Sequence, residues 1–227
     1  MLFDNGTVEI SEFQTIGYYI LSIEKSPFFL TEYTDKIISV SPCIGEQHPC
    51  LKYSVFIRSE IEESEYIEKV GLSADKFKKL KNECLKLFEK SQIDIDGRFL
   101  NKSDMLYFYN EYFNKENYLP VSLSTNPIYL EELEEEFIDV GSTATPVITK
   151  LPDNNDLLGY DIIGWDITGF HSFLCNGLQE EINNICFNLL GLISNKYSDV
   201  ELFSEQIQDK GEPIPWFPCR LGLVSHQ

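Results

Sequence analysis

The sequence predicts an α+β protein in which helices pack on a mixed or antiparallel sheet. Hydrophobic residues make up 43% and aromatic residues 13% of the 227 residues, which is enough to build a folded core. Segments rich in β-branched and aromatic residues also alternate with segments of helical periodicity. The order of the strands in the sheet stays open.

Three segments near the N-terminus have the composition of strands. They are "TIGYYILSIE" (15–24), "KIISVS" (36–41) and "LKYSVFIRSEI" (51–61), which are rich in β-branched and aromatic residues. The segment "SPCIGEQHPC" between the last two contains Pro and Gly and is typical of a loop. The chain therefore begins with predicted strands.

The clearest helix is predicted over "SADKFKKLKNECLKLFEKS" (73–91). Its apolar residues recur at helical spacing, Ser73 can cap the N-terminus, and Asp75 suits the positive end of the helix dipole. Cys84 falls on the apolar face, so we expect a buried free thiol there. The opposite face is rich in Lys, which makes this helix locally basic.

The next three elements are predicted to be a helix, a strand and an acidic segment. "KSDMLYFYNEYFNKEN" (102–117) reads as a helix that starts at Ser103 or Asp104, and "LPVSLS" (119–124) reads as a strand. "PIYLEELEEEFIDV" (127–140) is either a helix or an acidic extended segment.

The turn-rich "PDNND" (152–156) is the best candidate for a boundary between an N-terminal region, 1–150, and a C-terminal region, 151–227. One continuous domain is the alternative. The following "LLGYDIIGWDI" (157–167) has apolar residues on both faces, which predicts a strand in the centre of its sheet.

The C-terminal region is predicted to continue as helix, turn, helix and strand. An apolar stripe predicts a helix from Gly169, and "CFNLLGLI" (186–193) is a strand or a turn. "YSDVELFSEQIQDKG" (197–211) is a helix capped by Ser198. "PWFPCRLGLV" (215–224) is a closing strand whose prolines indicate that it starts at a sheet edge.

The charge distribution gives the first indication of function. The formal net charge is −19, which disfavours nucleic acid and anionic membranes as partners. Residues 121–180 carry 11 acidic residues against one basic residue. This stretch is either a solvated face that keeps the protein in solution or a surface that steers a basic partner. The predicted partner-binding residues are Glu131, Glu132, Glu134, Glu135, Glu136, Asp139, Asp161, Asp166, Trp216 and Phe217.

The six cysteines do not predict a disulfide framework. The N-terminus lacks the basic and apolar regions of a secretory signal, so we expect a cytoplasmic protein with reduced thiols. Cys43, Glu46, His48 and Cys50 could ligate zinc, but their spacing is irregular and no second ligand pair follows. We therefore predict neither a metal site nor a cofactor.

One cluster is compatible with catalysis. His171 and Cys175 are four residues apart, which would place them on one face of a helix, and Asp166 could orient the imidazole. An enzyme centred on these residues, or on carboxylates, is an alternative function. The favoured interpretation is a structural joint between a strand and a helix, because no sequence signature of a catalytic cysteine surrounds them.

The segments "GYDIIGWDITGFHSFLCNGL", "NLLGLISNKYSDVELFSEQI" and "EPIPWFPCRLGLV" occur in this order in about the last 70 residues. They resemble the C-terminal part of small bacterial immunity proteins, the inhibitors encoded beside polymorphic or contact-dependent growth-inhibition toxins. The resemblance implies a cytoplasmic binder without enzymatic activity. Together with the acidic charge, it predicts a protein that neutralises a basic toxin domain, such as a nuclease. An acidic mimic of nucleic acid is a further alternative.

Overall fold

The computed structural model of the protein describes residues 13–41, 64, 67–68, 71–94, 97–130, 149–150, 157–166, 169–176, 185–193, 196–208, 210 and 214–225. The strands are β1 (Gln14–Ser22), β2 (Glu24–Lys25), β3 (Lys36–Ile37), β4 (Tyr118–Thr125), β5 (Thr149–Lys150), β6 (Leu157–Asp166), β7 (Gly169–Ser172) and β8 (Trp216–Leu223). The α-helices are α1 (Ala74–Glu89), α2 (Lys102–Tyr112) and α3 (Tyr197–Ile207). Two 3₁₀ turns cover Phe28–Leu30 and Phe173–Asn176. The α+β fold class is confirmed.

Six strands form one sheet in the order β5-β1-β4-β8-β6-β7, and all neighbouring strands are antiparallel. The antiparallel alternative of the prediction is therefore correct. β4 and β8 pair directly, with Val121 opposite Leu223. Strands from both sides of residues 152–156 thus share one sheet.

The last strand is central in the sheet, while its start lies at an edge, as its prolines predict. β8 lies between β4 and β6. Its pairing with β4 covers only Arg220 to Leu223, however, and its first half pairs with β6 alone. Pro218 falls in this first half, where a missing N–H breaks no bond to β4. The Thr125 hydroxyl donates a hydrogen bond to the Pro218 carbonyl (2.8 Å) at the end of β4.

The predicted helix from Gly169 is wrong at its start. Residues Gly169–Ser172 form β7, which pairs with the end of β6. Helical backbone in the described part of this segment is limited to the 3₁₀ turn Phe173–Asn176. Phe170 and Ser172 are both buried on one face of β7. The alternation of Phe170 and Ser172 is that of a strand, but the apolar residues from Phe170 onward also fit a helical stripe. Periodicity alone therefore does not distinguish a strand from a helix here.

Other helices and strands also begin or end at residues different from those predicted. α2 is capped by Asn101, whose side chain accepts a hydrogen bond from the Ser103 backbone N–H (2.8 Å), rather than by Ser103 or Asp104. The N-cap of α3 is Lys196 rather than Ser198. The predicted strand 36–41 is strand only at Lys36–Ile37, and the segment 186–193 is a turn with a bridge between Phe187 and Ile193. The predicted strand 51–61 lies outside the described residues.

One face of the sheet supports all three helices. Strand register places Tyr18 of β1 and Tyr160 of β6 on this face. Tyr18 belongs to an apolar cluster with α1 and α2, whereas Tyr160 belongs to a cluster with α3. The opposite face, which includes Val121 and Leu221, packs against residues near Ile38 and against the 185–193 turn. The helical side is therefore divided into two separate surfaces.

The outer edge of β1 is partly covered by the segment around Phe99. Tyr18 and Phe99 exchange two backbone hydrogen bonds of 2.9 and 2.8 Å. The buried Arg98 side chain lies against Gly17, where a Cβ atom would approach Arg98 Cγ to 2.4 Å. An ion pair between Arg98 Nε and Asp94 Oδ2 (2.7 Å) holds the guanidinium in place. Because residue 17 is a glycine, the Arg98 side chain has the space that it occupies in the core.

Candidate partner-binding surface

The acidic run is preceded by an anchored stretch of chain. Glu131, Glu132, Glu134, Glu135, Glu136 and Asp139 lie outside the described residues. Just before them, Leu130 is buried in the core and Tyr129 donates a hydrogen bond from Oη to Glu201 Oε1 of α3 (3.2 Å). Tyr129 and Leu130, which directly precede the run in sequence, thus tie the chain to α3 and to the core.

α3 is fixed on the sheet by one face and by its C-terminal end. Tyr197, Val200 and Ile207 are buried against β6 and β8. The Gln208 side chain accepts a hydrogen bond from the Trp216 backbone N–H (3.1 Å) and donates one to the Trp216 carbonyl. These contacts orient the opposite face of the helix towards solvent.

The outward face of α3 is acidic with an apolar residue in its middle. Asp199 and Glu205 are exposed on either side of Leu202, which is 58% exposed. α3 contains three acidic residues and no Lys or Arg. Ile128, which precedes the anchored Tyr129, is 67% exposed. Two exposed aliphatic side chains therefore belong to segments that meet at the Tyr129–Glu201 hydrogen bond.

Three residues predicted to lie on the partner-binding surface are buried, which corrects that prediction. Asp161 is 4% exposed, and Trp216 and Phe217 are each 2% exposed. Trp216 packs in the cluster beneath α3, and Phe217 packs on the other face of the sheet. Because the middle of β6 and the start of β8 are covered on both faces, these three side chains are core residues although they point to different faces.

Burial changes the acid–base properties of Asp161. Its Cα is paired in register with that of Cys219, and its Oδ1 accepts a hydrogen bond from the Ile162 backbone N–H (2.8 Å). Loss of solvation raises the pKa of Asp161 to about 7, against the opposing effect of this hydrogen bond. Burial, and secondarily the charge of Asp161, raises the pKa of the Cys219 thiol. Asp161 is thus a group of the core that titrates near neutral pH.

The helix predicted to carry both His171 and Cys175 is not formed at these residues. His171 is half-buried on β7, with Gly164 as its strand partner, and Cys175 belongs to the following 3₁₀ turn. The two residues therefore do not share one face of an α-helix, contrary to the prediction. Asp166 is the last residue of β6, and its backbone pairs with Gly169.

The metal alternative gains no support in the described part of the chain. No group of three or more His, Cys, Asp or Glu side chains there is arranged to hold a metal ion. Cys84, Cys186 and Cys219 are free cysteines, and the predicted burial of Cys84 is confirmed. The loop from Cys43 to Cys50 lies outside the described residues.

Sequence reasoning missed the surface around Leu202. A helical projection of "YSDVELFSEQI" places Leu202 with Asp199 and Glu205 on the polar face, so the signal was present in the periodicity. The contact between Tyr129 and Glu201 joins residues 72 positions apart, and no local pattern predicts it.

None of the helices that the structure describes combines the length and the apolar character needed to cross a membrane. No family model, curated protein or solved structure matches the chain.

Proposed function

We propose that this protein is a cytoplasmic immunity protein that binds and neutralises a basic toxin domain. The proposed binding surface consists of the acidic run from Glu131 to Asp139 and the exposed face of α3. The observation that carries the proposal is the hydrogen bond between Tyr129 and Glu201, which ties the residues just before the run in sequence to an acidic helix. Two acidic segments far apart in sequence then act on the same partner.

The electrostatic argument rests on the sign and concentration of charge. Residues 121–180 have 11 acidic residues and one basic residue, and α3 adds three acidic residues. Crowded like charges destabilise the protein that carries them, by a few tenths of a kcal/mol for each close pair in a helix. A Lys- or Arg-rich partner removes this repulsion and is attracted over long distances.

The packing of α3 on the sheet also favours a binding role. Aromatic rings pack under the helix, with the rings of Phe13 and Tyr197 4.9 Å apart and those of Phe173 and Phe203 5.5 Å apart. A helix held in this way loses little conformational freedom when a partner binds. The affinity of the complex therefore benefits from a surface that is already ordered.

The proposal predicts that a large secreted protein with a basic C-terminal domain is encoded beside this gene, and the test uses that domain as the probe. We expect the wild-type protein to bind this domain and to restore growth when both are produced in one cell. Replacement of Glu131, Glu132, Glu134, Glu135 and Glu136 by Gln should slow association by about one to two orders of magnitude at low salt. The difference should shrink as salt is raised, because salt screens the long-range attraction.

Two further variants define the surface. Asp199→Asn combined with Glu205→Gln should also slow association, because these side chains belong to the same surface. Lys78→Gln combined with Lys81→Gln on α1 is the control and should leave association unchanged or slightly faster. Wild-type association by the five-Gln variant at low salt would show that the run is only a solvated face. Absence of binding by the wild-type protein would overturn the proposed function itself.

A further inference from the structure

We infer that two copies of this chain associate through a surface formed by two turns, residues 26–36 and 185–193, which carry Phe28 and Leu189. Phe28 is 94% exposed and Leu189 is 90% exposed, the highest values among the large apolar side chains that the structure describes. This two-turn surface uses none of the residues of the proposed toxin-binding surface, so the inference does not depend on the proposed function.

The two turns are in contact with each other. The rings of Tyr33, in the first turn, and Phe187, in the second, lie 5.7 Å apart. Directly after the first turn, the Ile38 backbone N–H donates a hydrogen bond to the Leu190 carbonyl (3.0 Å). The two exposed side chains therefore belong to turns that the fold holds together.

Each turn is also ordered by hydrogen bonds of its own. In the first turn, the Leu30 backbone N–H donates a hydrogen bond to the Pro27 carbonyl (2.9 Å). In the second, Asn188 Oδ1 accepts hydrogen bonds from the backbone N–H groups of Leu190 (2.9 Å) and Leu192 (3.1 Å). A surface on ordered turns loses little conformational freedom when it is covered.

The apolar area of the two-turn surface is sufficient for a weak dimer. An aromatic side chain has about 150–250 Å² of surface, so Phe28 alone offers roughly 200 Å². Together with Leu189 and the exposed parts of Tyr33 and Phe187, two copies would bury on the order of 1,000 Å². This total is at the low end of specific interfaces.

The charges around these side chains favour a second copy as the partner. Lys25, Glu32, Asp35 and Lys36 are exposed, two of each sign, and residues 185–193 contain no charged side chain. Elsewhere, the net charge of −19 makes two copies repel each other. In a two-fold dimer a surface meets its own copy, so lysines of one chain can lie opposite acidic residues of the other. A strongly acidic or basic partner finds no opposite net charge here.

Sedimentation equilibrium of the purified protein measures this association. We expect a monomer–dimer equilibrium with a dissociation constant on the order of 10–100 µM, as suits a small interface. Phe28→Ser and Leu189→Ser should each raise the constant by about tenfold or more. Ile128→Ser is the matched control, because Ile128 is 67% exposed and lies outside the two turns. It should leave the constant within about twofold of the wild-type value.

A charge variant tests the same surface without removing an apolar side chain. Lys36→Glu makes the charge of the two-turn surface negative, so it should weaken association, and added salt should reduce the effect. Circular dichroism and thermal unfolding should show that all of these variants remain folded, since each replaced side chain is exposed.

Several results would overturn the inference. A wild-type protein that is monomeric at about 1 mM, well above the expected dissociation constant, has no such interface. Wild-type association by both Phe28→Ser and Leu189→Ser would place the interface elsewhere, and an equal loss in Ile128→Ser would indicate unspecific apolar contacts. Binding of the monomer to phosphatidylcholine vesicles that Phe28→Ser abolishes would assign the surface to lipid. Because no toxin domain is present in these experiments, the proposed function is tested separately.

Discussion

The surface formed by α1 and α2 and the surface of α3 lie on the same face of the sheet, but their charged groups make different contacts. On the surface of α1 and α2, Glu83 accepts hydrogen bonds from the hydroxyls of Tyr107 (3.1 Å) and Tyr112 (2.7 Å). Lys79 lies 3.3 Å from Glu111, and its ammonium group is 5.7 Å from the centre of the Tyr112 ring. Charges of both signs here interact within the fold.

The helix α3 itself contains three acidic residues, and the nearest bases are Lys196 at its N-cap and Lys210 beyond its C-terminal end. Glu201 is bound by a neutral phenol, that of Tyr129, and Leu202 is exposed between two carboxylates. A surface whose charges are balanced internally has little to offer a charged partner. The difference teaches that helices on one face of a sheet can differ in the sign of their charge, with mixed charges on α1 and only acidic residues within α3.

The largest expected effect contrasts one leucine from each surface. Leu80 of α1 is fully buried in the core, so Leu80→Ala should lower the free energy of unfolding by about 4 kcal/mol through lost burial and a residual cavity. Leu202→Ala should change it by less than about 0.5 kcal/mol, because the side chain is mostly in water already. Urea unfolding of both variants measures this difference. A large loss for Leu202→Ala would mean that α3 uses this residue for folding, and the contrast between the surfaces would fail.

The next effect concerns the sheet beneath α3. The pKa of Asp161 is about 7 in the folded chain, against an ordinary value of 3.8. At a pH between these two values, the folded chain retains the proton and the unfolded chain loses it. The contribution of Asp161 to the free energy of unfolding is therefore fully present below about pH 4, and it is lost as the pH rises to about 7. Three pKa units correspond to about 4 kcal/mol. Asp161→Asn should recover about 3 kcal/mol at pH 8 and change little at pH 4, since an amide stays neutral but is still polar.

Unfolding free energies measured from pH 4 to pH 8 test this prediction. Hydrogen exchange adds the regional contrast: amides of β6 and β8, which carry Asp161 and its partner Cys219, should lose protection with rising pH before those of α1. Parallel pH profiles for the wild-type protein and Asp161→Asn would refute the assignment.

A smaller effect is expected on the surface of α1 and α2. Tyr112→Phe removes the hydrogen bond to Glu83 and should cost about 1–2 kcal/mol, because Tyr112 is buried and its acceptor is charged. Tyr107→Phe removes the longer bond to the same carboxylate from an exposed ring and should cost less. Thermal unfolding of both variants gives the comparison. Equal effects would show that the burial of Tyr112 does not strengthen its bond.

The smallest effects concern the helix starts. Ser73 caps α1 by accepting a hydrogen bond from the Lys76 backbone N–H (3.2 Å), whereas Lys196 makes no capping hydrogen bond at α3. Ser73→Ala should therefore cost about 1 kcal/mol, and Lys196→Ser should gain about 0.5 kcal/mol. Differential scanning calorimetry of the two variants should show shifts of opposite sign. Destabilisation by Lys196→Ser would mean that the lysine has another structural role.

Local sequence patterns predicted most of the described elements. The α1 helix with its Ser73 cap, and β1, β4 and β6, follow from periodicity and composition, since these features act within a few residues. β7 was misread because Phe170 and the apolar residues after it fit a helix as well as a hairpin. The central position of β8 depends on pairing with β4, about 100 residues earlier, which no local pattern indicates.

The candidate surface was less predictable than the fold. The acidic composition near Glu131 was visible, but Asp161 has the same chemistry and is buried, because the apolar residues around it in β6 decide its location. Trp216 and Phe217 were expected at the surface for their binding chemistry, and the same apolar area buries them. Only tertiary structure separates an acidic residue of the surface from one of the core.

The position of β8 has a consequence for the synthesis of the protein. Residues 216–223 supply the strand that joins β4 to β6, and the bond from Ser122 Oγ to the Gly222 carbonyl closes a loop of about 100 residues. While a ribosome is still adding these residues, the long-range pair of β1 with β4 and the hairpin of β6 with β7 each have an open edge where β8 will lie. Such non-local closure slows folding, and open edges attract other nascent chains. We therefore expect chains interrupted before residue 216 to need chaperones, and the sheet to form only once β8 has left the exit tunnel.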